Sequence, residues 1–164
     1  MSDAASNFLE HKLLDHTLRY GTAPYTAPST VYVALFSGTA ADVKTALESG
    51  TGARTAGNWG YYEITGGAYE RQSITFAAAG ATTQGQIKSN ATVTFDVASA
   101  NYDNAAGSGA TVTVMALIDE GFTPDGSTTH AGNILFYGEL TASKTVNSGD
   151  QFTISSGNLS VALS

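Results

Sequence analysis

The chain has no cysteine. That excludes a disulfide framework, thiolate chemistry and cysteine-ligated metals. Charge is scarce: Asp, Glu, Lys and Arg make up 13% of the 164 residues, against roughly a quarter in ordinary globular domains. Positive charge is the scarcer sign, with seven Lys and Arg against fourteen Asp and Glu and a net charge of −7. The seven bases stand singly, at positions 12, 19, 44, 54, 71, 88 and 144. Contact with phosphates needs a basic face, so neither nucleic acid nor an anionic membrane is a main partner. No apolar run approaches the ~18 residues that a membrane-spanning helix needs. The opening Met-Ser-Asp-Ala-Ala-Ser lacks the basic and apolar regions of a secretory signal, so the expectation is a protein made in a cytosol.

What is present is small side chains. Ala, Gly, Ser and Thr fill about half of the chain, and 10% is aromatic. So few charges among so many Tyr, Phe and Val do not describe a disordered chain. The length suits one domain with a real core. Many short apolar runs between turn residues predict an all-β fold.

The first twenty residues carry the only strong helical pattern. Phe8, Leu9, Leu13, Leu14 and Leu18 recur at three- and four-residue spacing and share one stripe. Asn7 and Glu10 have the spacing of a capping box, Arg19 suits the last turn, and Gly21 suits the left-handed position beyond it. Pro24 and Pro28 prevent continuation. The expectation is an amphipathic arm over 1–21, helical from about Asn7 to Tyr20, followed by a β domain over 22–164.

After Pro28 the period becomes two. Val31, Val33 and Leu35 fall on one face of a strand and Tyr32, Ala34 and Phe36 on the other. Both faces are apolar, so the strand is central or covered by the N-terminal helix. Residues 38–60 read as a long insertion loop with one or two helical turns over Ala41–Glu48. An irregular stretch of that length is often a contact element. Trp59, Tyr61 and Tyr62 follow as the densest aromatic cluster. Further strands are expected at Tyr69–Ala77, Ala91–Val97, Thr111–Asp119, Asn133–Leu140, Gln151–Ser155 and Leu159–Leu163, with a short one over Tyr61–Thr65. About eight antiparallel strands suggest a β-sandwich or jelly roll.

Catalytic patterns are missing. There is no Gly-x-Ser-x-Gly elbow, no His-Glu-x-x-His and no phosphate-cradling loop. His11 and His16 are five apart on the helix, so they diverge by about 140° and share no metal. His11 and Asp15 face the same way and read as a solvated pair. His130 sits among Ser, Thr and Gly and reads as exposed. The acidic segment Asp119–Gly126 lacks the spacing of a calcium loop and reads as a polar hairpin. No cofactor and no metal are expected. The aromatics at 59–62 could stack on sugar rings, although core or subunit contact is the commoner use of such clusters.

Several segments together have a family look. They are Phe8-Leu-Glu-His-Lys-Leu-Leu-Asp-His-Thr-Leu18, Tyr25-Thr-Ala-Pro-Ser-Thr-Val-Tyr-Val-Ala-Leu-Phe-Ser37, Glu63-Ile-Thr-Gly-Gly-Ala-Tyr-Glu-Arg-Gln72, Asn133-Ile-Leu-Phe-Tyr-Gly-Glu-Leu140 and Lys144-Thr-Val-Asn-Ser-Gly-Asp150. In this order they resemble a family of tailed-bacteriophage virion proteins variously labelled tail fibre, head fibre or capsid decoration. Residues 38–60 and 119–131 are longer than in that pattern. The resemblance implies a structural role and no enzyme activity. Gly66-Gly67 would make a tight turn with φ > 0. Arg71 would act as a fork donor to a carboxylate or to carbonyls, holding its strand or an interface.

The resulting expectation is a capsid decoration or cement protein on the virion surface. It would bridge major capsid subunits as a homo-oligomer, and its contacts would be Phe8, Leu9, Leu13, Leu14, Leu18, Trp59, Tyr61, Tyr62 and Arg71. A tail, fibre or adaptor component is the alternative, and a glycan-binding module the third reading.

Overall fold

Two-residue alternation organises the centre of the computed structural model, which describes residues 3–19, 25–80, 85–122 and 129–162. The elements are β1 (Asp3–Ala5), α1 (Asn7–Leu18), β2 (Val31–Ser37), α2 (Ala40–Ser49), α3 (Trp59–Tyr62), β3 (Gln72–Ile74), β4 (Gln86–Lys88), β5 (Val93–Thr94), β6 (Thr111–Ile118), β7 (Ile134–Thr145), β8 (Thr153–Ile154) and β9 (Ser160–Ala162). Five strands form an antiparallel sheet in the order β1-β7-β6-β2-β3. Two antiparallel ribbons, β4-β9 and β5-β8, complete a sandwich-like all-β architecture.

β2 lies inside the large sheet and sorts its side chains as the period requires. Val31, Val33 and Leu35 join a core with Tyr69, Phe95, Tyr102, Phe152 and Leu159. Tyr32, Ala34 and Phe36 join a second core on the opposite face. β6 does the same with Met115 and Leu117 against Val114, Ala116 and Ile118. A register shift between Val112 and Val114 moves Val112 to the first core despite its parity with Val114.

The second face is covered by α2, not by the N-terminal helix. Val43, Ala46 and Leu47 are spaced three and four apart and are all buried there with Trp59. α2 has ten residues, where one or two turns were expected. Thr39 caps it by accepting the Asp42 N–H at 3.4 Å, and Asp42 complements the positive end of the dipole. The short strand expected over Tyr61–Thr65 is instead the end of α3 followed by single bridges, Phe36 to Glu63 and Ile64 to Asn104.

α1 begins at Asn7 as expected and ends at Leu18, while Tyr20 and Gly21 lie outside the described residues. Its cap is Ser6, not Asn7. The Ser6 hydroxyl accepts the Leu9 N–H at 3.3 Å and donates to the Ile134 carbonyl, so one side chain both starts the helix and fixes it to β7. The unexpected β1 pairs with β7, Ala5 opposite Phe136. Leu9 is buried, and Phe8 and Leu13 pack on the first core. Leu14 and Leu18 stay 56% and 79% exposed, so only half of the stripe is covered. The strands that flank the ribbons are shorter than expected, and Val97 lies beyond β5 in solvent.

Because α2 is the lid of the second core, Leu47→Ala should lower stability by about 2–5 kcal/mol. Lys44→Ala, on the exposed side of the same helix, removes only a surface ion pair to Glu139 at 3.2 Å and should cost less than about 1 kcal/mol. Urea midpoints of the two variants against the parent protein check the contrast.

Candidate functional site

The densest polar chemistry in the described residues lies inside the protein. Glu63 leaves α3 and bridges to Phe36, which points its carboxylate into the interior at zero exposure. A bare carboxylate there would cost several kcal/mol. Arg71 answers it with a two-pronged contact, Nε to Oε1 at 2.7 Å and Nη2 to Oε2 at 2.9 Å. His130 Nδ1 lies 2.6 Å from Oε2, and the Tyr69 hydroxyl donates to Oε1 at 3.3 Å. The same Tyr69 oxygen accepts the Leu35 N–H at 3.0 Å, tying the cluster to β2.

The third guanidinium nitrogen reaches elsewhere. Arg71 Nη1 donates to the carbonyls of Glu120 and Ala131, each at 2.8 Å. One side chain therefore fixes both ends of the 120–131 loop. The cation also lies over Phe122, 5.0 Å from its ring centre, and over Trp59 at 5.7 Å. The 50–60 loop is attached from the other side. His130 donates its backbone N–H to the Gly52 carbonyl at 2.7 Å, and Ala53 bridges to Thr129. The approach is so close that a Cβ on Gly52 would come within 1.8 Å of the His130 carbonyl oxygen.

Charge balance sets the protonation states. Burial alone would push the Glu63 carboxyl up, but the hydrogen bonds and charges of Arg71 and His130 outweigh it and hold the group below the usual carboxylate range. Burial, reinforced by the neighbouring Glu63 charge, raises the Tyr69 phenol well above its ordinary value. Arg71 loses solvation yet gains more from Glu63, so its affinity for the proton rises. With Glu63 ionised, His130 Nδ1 must carry the proton of their hydrogen bond, and Nε2 is buried without a partner. All four side chains are at most 5% exposed. The arrangement fixes chain segments to one another and leaves no room for a substrate beside the acid.

The expected contact residues divide into groups. Phe8, Leu9 and Leu13 cover the protein's own core, and Leu14 and Leu18 face outward. Trp59 is only 4% exposed and is a core residue, so it presents no open ring face to a sugar. Tyr61 and Tyr62 are half-buried and meet edge to face at 5.3 Å. Arg71 is the fork donor just described. His130 corrects the sequence reading outright: it is 3% exposed, not a solvated loop residue. Gly67 adopts φ +69°, and a Cβ there would lie 2.5 Å from the Ala100 carbonyl oxygen, so the Gly66-Gly67 turn does need glycine. Asp15 pairs with Arg19 at 3.4 Å instead of with His11, and His16 Nδ1 accepts the Tyr25 N–H at 3.3 Å. Asp119 accepts the backbone and side-chain N–H groups of Asn133 at 2.6 and 2.8 Å. Residues 123–126 of its acidic segment lie outside the described residues. No group of three candidate metal ligands occurs among the described residues.

Sequence reasoning missed Glu63, Tyr69 and His130 as a unit. The first two stand six residues apart in the segment that also holds Arg71, and a Glu, a Tyr and an Arg flanking Gly66-Gly67 was the available signal. Nothing near position 130 announces its burial.

A sandwich whose buried acid is spent on holding its own loops is a scaffold. A family model described as podophage GP4 fiber I protein gp80 matches residues 4–162. The chain belongs to this family and is a structural component of a tailed-phage virion. No curated protein matches it. No helix among the described residues is long and apolar enough to cross a membrane.

Removing the Glu63 charge tests the cluster. Glu63→Gln leaves Arg71 buried without its counter-charge and should cost about 3–5 kcal/mol at neutral pH. The sign of the pH effect follows from the lowered carboxyl. The Glu63 contribution is complete above the ordinary value of 4.5 and is lost as pH falls through the lower value of the folded state. Urea midpoints measured from pH 7 downward should therefore fall more steeply below pH 4.5 for the parent protein than for Glu63→Gln.

Proposed function

We propose that the chain is a globular component of a virion fibre, mounted on neighbouring virion proteins, with no catalytic role. The observation that carries this reading is the family match along nearly the whole chain, because the family's description is of a fibre protein. The fold supports a mounting role. The described ends of the 120–131 loop and the 50–60 loop are held to the core around Glu63, Arg71 and His130. The outer half of α1 offers Leu14 and Leu18 to a neighbour. The low charge suits contact with other coat proteins better than contact with nucleic acid.

A second reading, capsid decoration, is favoured by the absence of repeats and heptads, which a long fibre shaft would need. In that role each copy would bridge major capsid subunits, and a contact of standard size, about 1,600 Å², would hold it.

Copy number separates the two. A fibre component set by the symmetry of a tail should be present at roughly a dozen to a few dozen copies per particle. A decoration protein would be present in the hundreds. Gel densitometry of purified virions against the major capsid protein gives the count. A count in the hundreds would overturn the fibre reading in favour of decoration.

A further inference from the structure

We propose that residues 3–18 are an exchangeable arm: in a multimer, β1 and α1 of one copy complete the large sheet of the next. The inference holds for either position in the virion. It starts from how the arm is attached. β1 is an outermost strand and pairs only with β7 among the described residues. The other ties are few. Ser6 donates its N–H to the Leu135 carbonyl at 2.9 Å and its hydroxyl to Ile134. Asn7 donates its N–H to the Glu48 carboxylate at 3.2 Å and its side-chain amide to the Glu48 carbonyl at 3.1 Å. Leu9 is the arm's one fully inserted large side chain.

The seat is also imperfectly filled. A cleft of about 250 Å³ remains between the arm and the body, with Ser6 and Phe8 on one wall and Leu47, Glu48 and Trp59 on the other. A gap of that size forfeits dispersion contacts that a tightly seated element would make. Meanwhile Leu14 and Leu18 add exposed apolar surface to the same helix. Association of copies around exchanged arms would shelter that surface at no loss of the contacts already made.

The connection permits it. Twelve residues separate Leu18 from Val31, and they include Pro24 and Pro28. Residues 25–30 form neither helix nor strand. Once Tyr25, which packs on the first core and donates its N–H to His16, lets go, these twelve residues can span up to about 40 Å when extended. The radius of gyration of a domain this long is about 15 Å, so the arm can reach the β7 of a touching copy. The β1–β7 ladder and the bonds of Ser6 and Asn7 then become intermolecular without changing their geometry, while the bond from Tyr25, within the connection, to His16 has to open. Exchange of an identical element is in this way a low-cost route to multimers. It also commits the arm to one occupant. β7 would otherwise present an open edge, and the arm of an identical chain brings both the β1 strand and the Ser6 hydroxyl that donates to the Ile134 carbonyl.

The register gives the test. Ala5 and Phe136 are directly opposed across β1 and β7. In full-length Ala5→Cys/Phe136→Cys, which has no other cysteine, oxidation links whichever chains share that pair. Exchange predicts that light scattering of the parent protein at high concentration gives a multiple of 16.8 kDa, and that most of the oxidised variant runs as covalent multimers on a non-reducing gel. A parent protein that stays a single chain would overturn the proposal. So would a multimer whose crosslinks are all within one chain, because association would then use another face. If the first pair does not fold, Asp3→Cys/Gly138→Cys occupies the neighbouring opposed position and is read in the same way.

Discussion

A carboxylate and a guanidinium buried together must satisfy each other completely, and much of this protein is arranged around that requirement. Glu63 accepts four contacts, from two nitrogens of Arg71, from His130 and from Tyr69. Arg71 spends its remaining nitrogen on two carbonyls sixty and forty-nine residues away in sequence. Replacing such a cluster by hydrocarbon of the same volume can be neutral or stabilising in other proteins, so its value here need not be net stability. Its value is that Glu63, Arg71, Tyr69 and His130 bring α3, β2, the 50–60 loop and the ends of the 120–131 loop into one arrangement in which, of these four side chains, only His130 Nε2 lacks a partner. Apolar packing is far less particular about register. A chain built half of small side chains has few large ones with which to fix its loops by shape, and a polar clamp does that work with four residues.

The same clamp explains the position of the aromatic cluster. Trp59 and Phe122 both lie against the Arg71 cation, and Phe122 lies 4.3 Å from the His130 ring. These rings exclude water from the ion pair and so strengthen it. Trp59 thus belongs equally to the core under α2 and to the wall of the polar cluster. Its burial serves both, whereas Tyr61 and Tyr62 are half-buried.

What was legible in the sequence was whatever had a period. β2 and β6 read correctly because seven or eight alternating residues leave little ambiguity, and the two faces of β2 sort into the two cores as the alternation requires. α1 was visible for the same reason. β1 and β4 have three residues each, too few to show a period, and exist because a neighbouring strand offers a partner. α2 was underestimated because its buried stripe is Val43, Ala46 and Leu47, weak hydrophobicity among Thr, Lys and Asp. The cap of α1 moved from Asn7 to Ser6 because a tertiary contact with Ile134 decides between two adjacent cap-forming residues. His130 was misjudged for a related reason. Its local surroundings are loop-like, and the carboxylate that draws it inward is 67 residues away. Local composition reports turn chemistry well and burial poorly.

The division of labour between loops and arm follows from how each is fastened. The loop over 50–60 is joined to the backbone of Thr129 and His130 through Gly52 and Ala53, and the ends of the 120–131 loop accept from Arg71, whose charge is paired with Glu63 in the interior. The arm is fastened by hydroxyl, amide and backbone bonds, one of them to the Glu48 carboxylate, and by the packing of Phe8, Leu9 and Leu13, so displacing it uncovers apolar surface but breaks no buried ion pair. A buried ion left without its partner costs several kcal/mol, whereas a neutral hydrogen bond exchanged for water costs about one. The molecule therefore separates into a body tied together around the Glu63–Arg71 pair and a terminal element held without any buried ion pair. For a virion component this is a useful asymmetry. Under the proposed exchange, the terminal element is the part whose bonds pass to a neighbour during assembly.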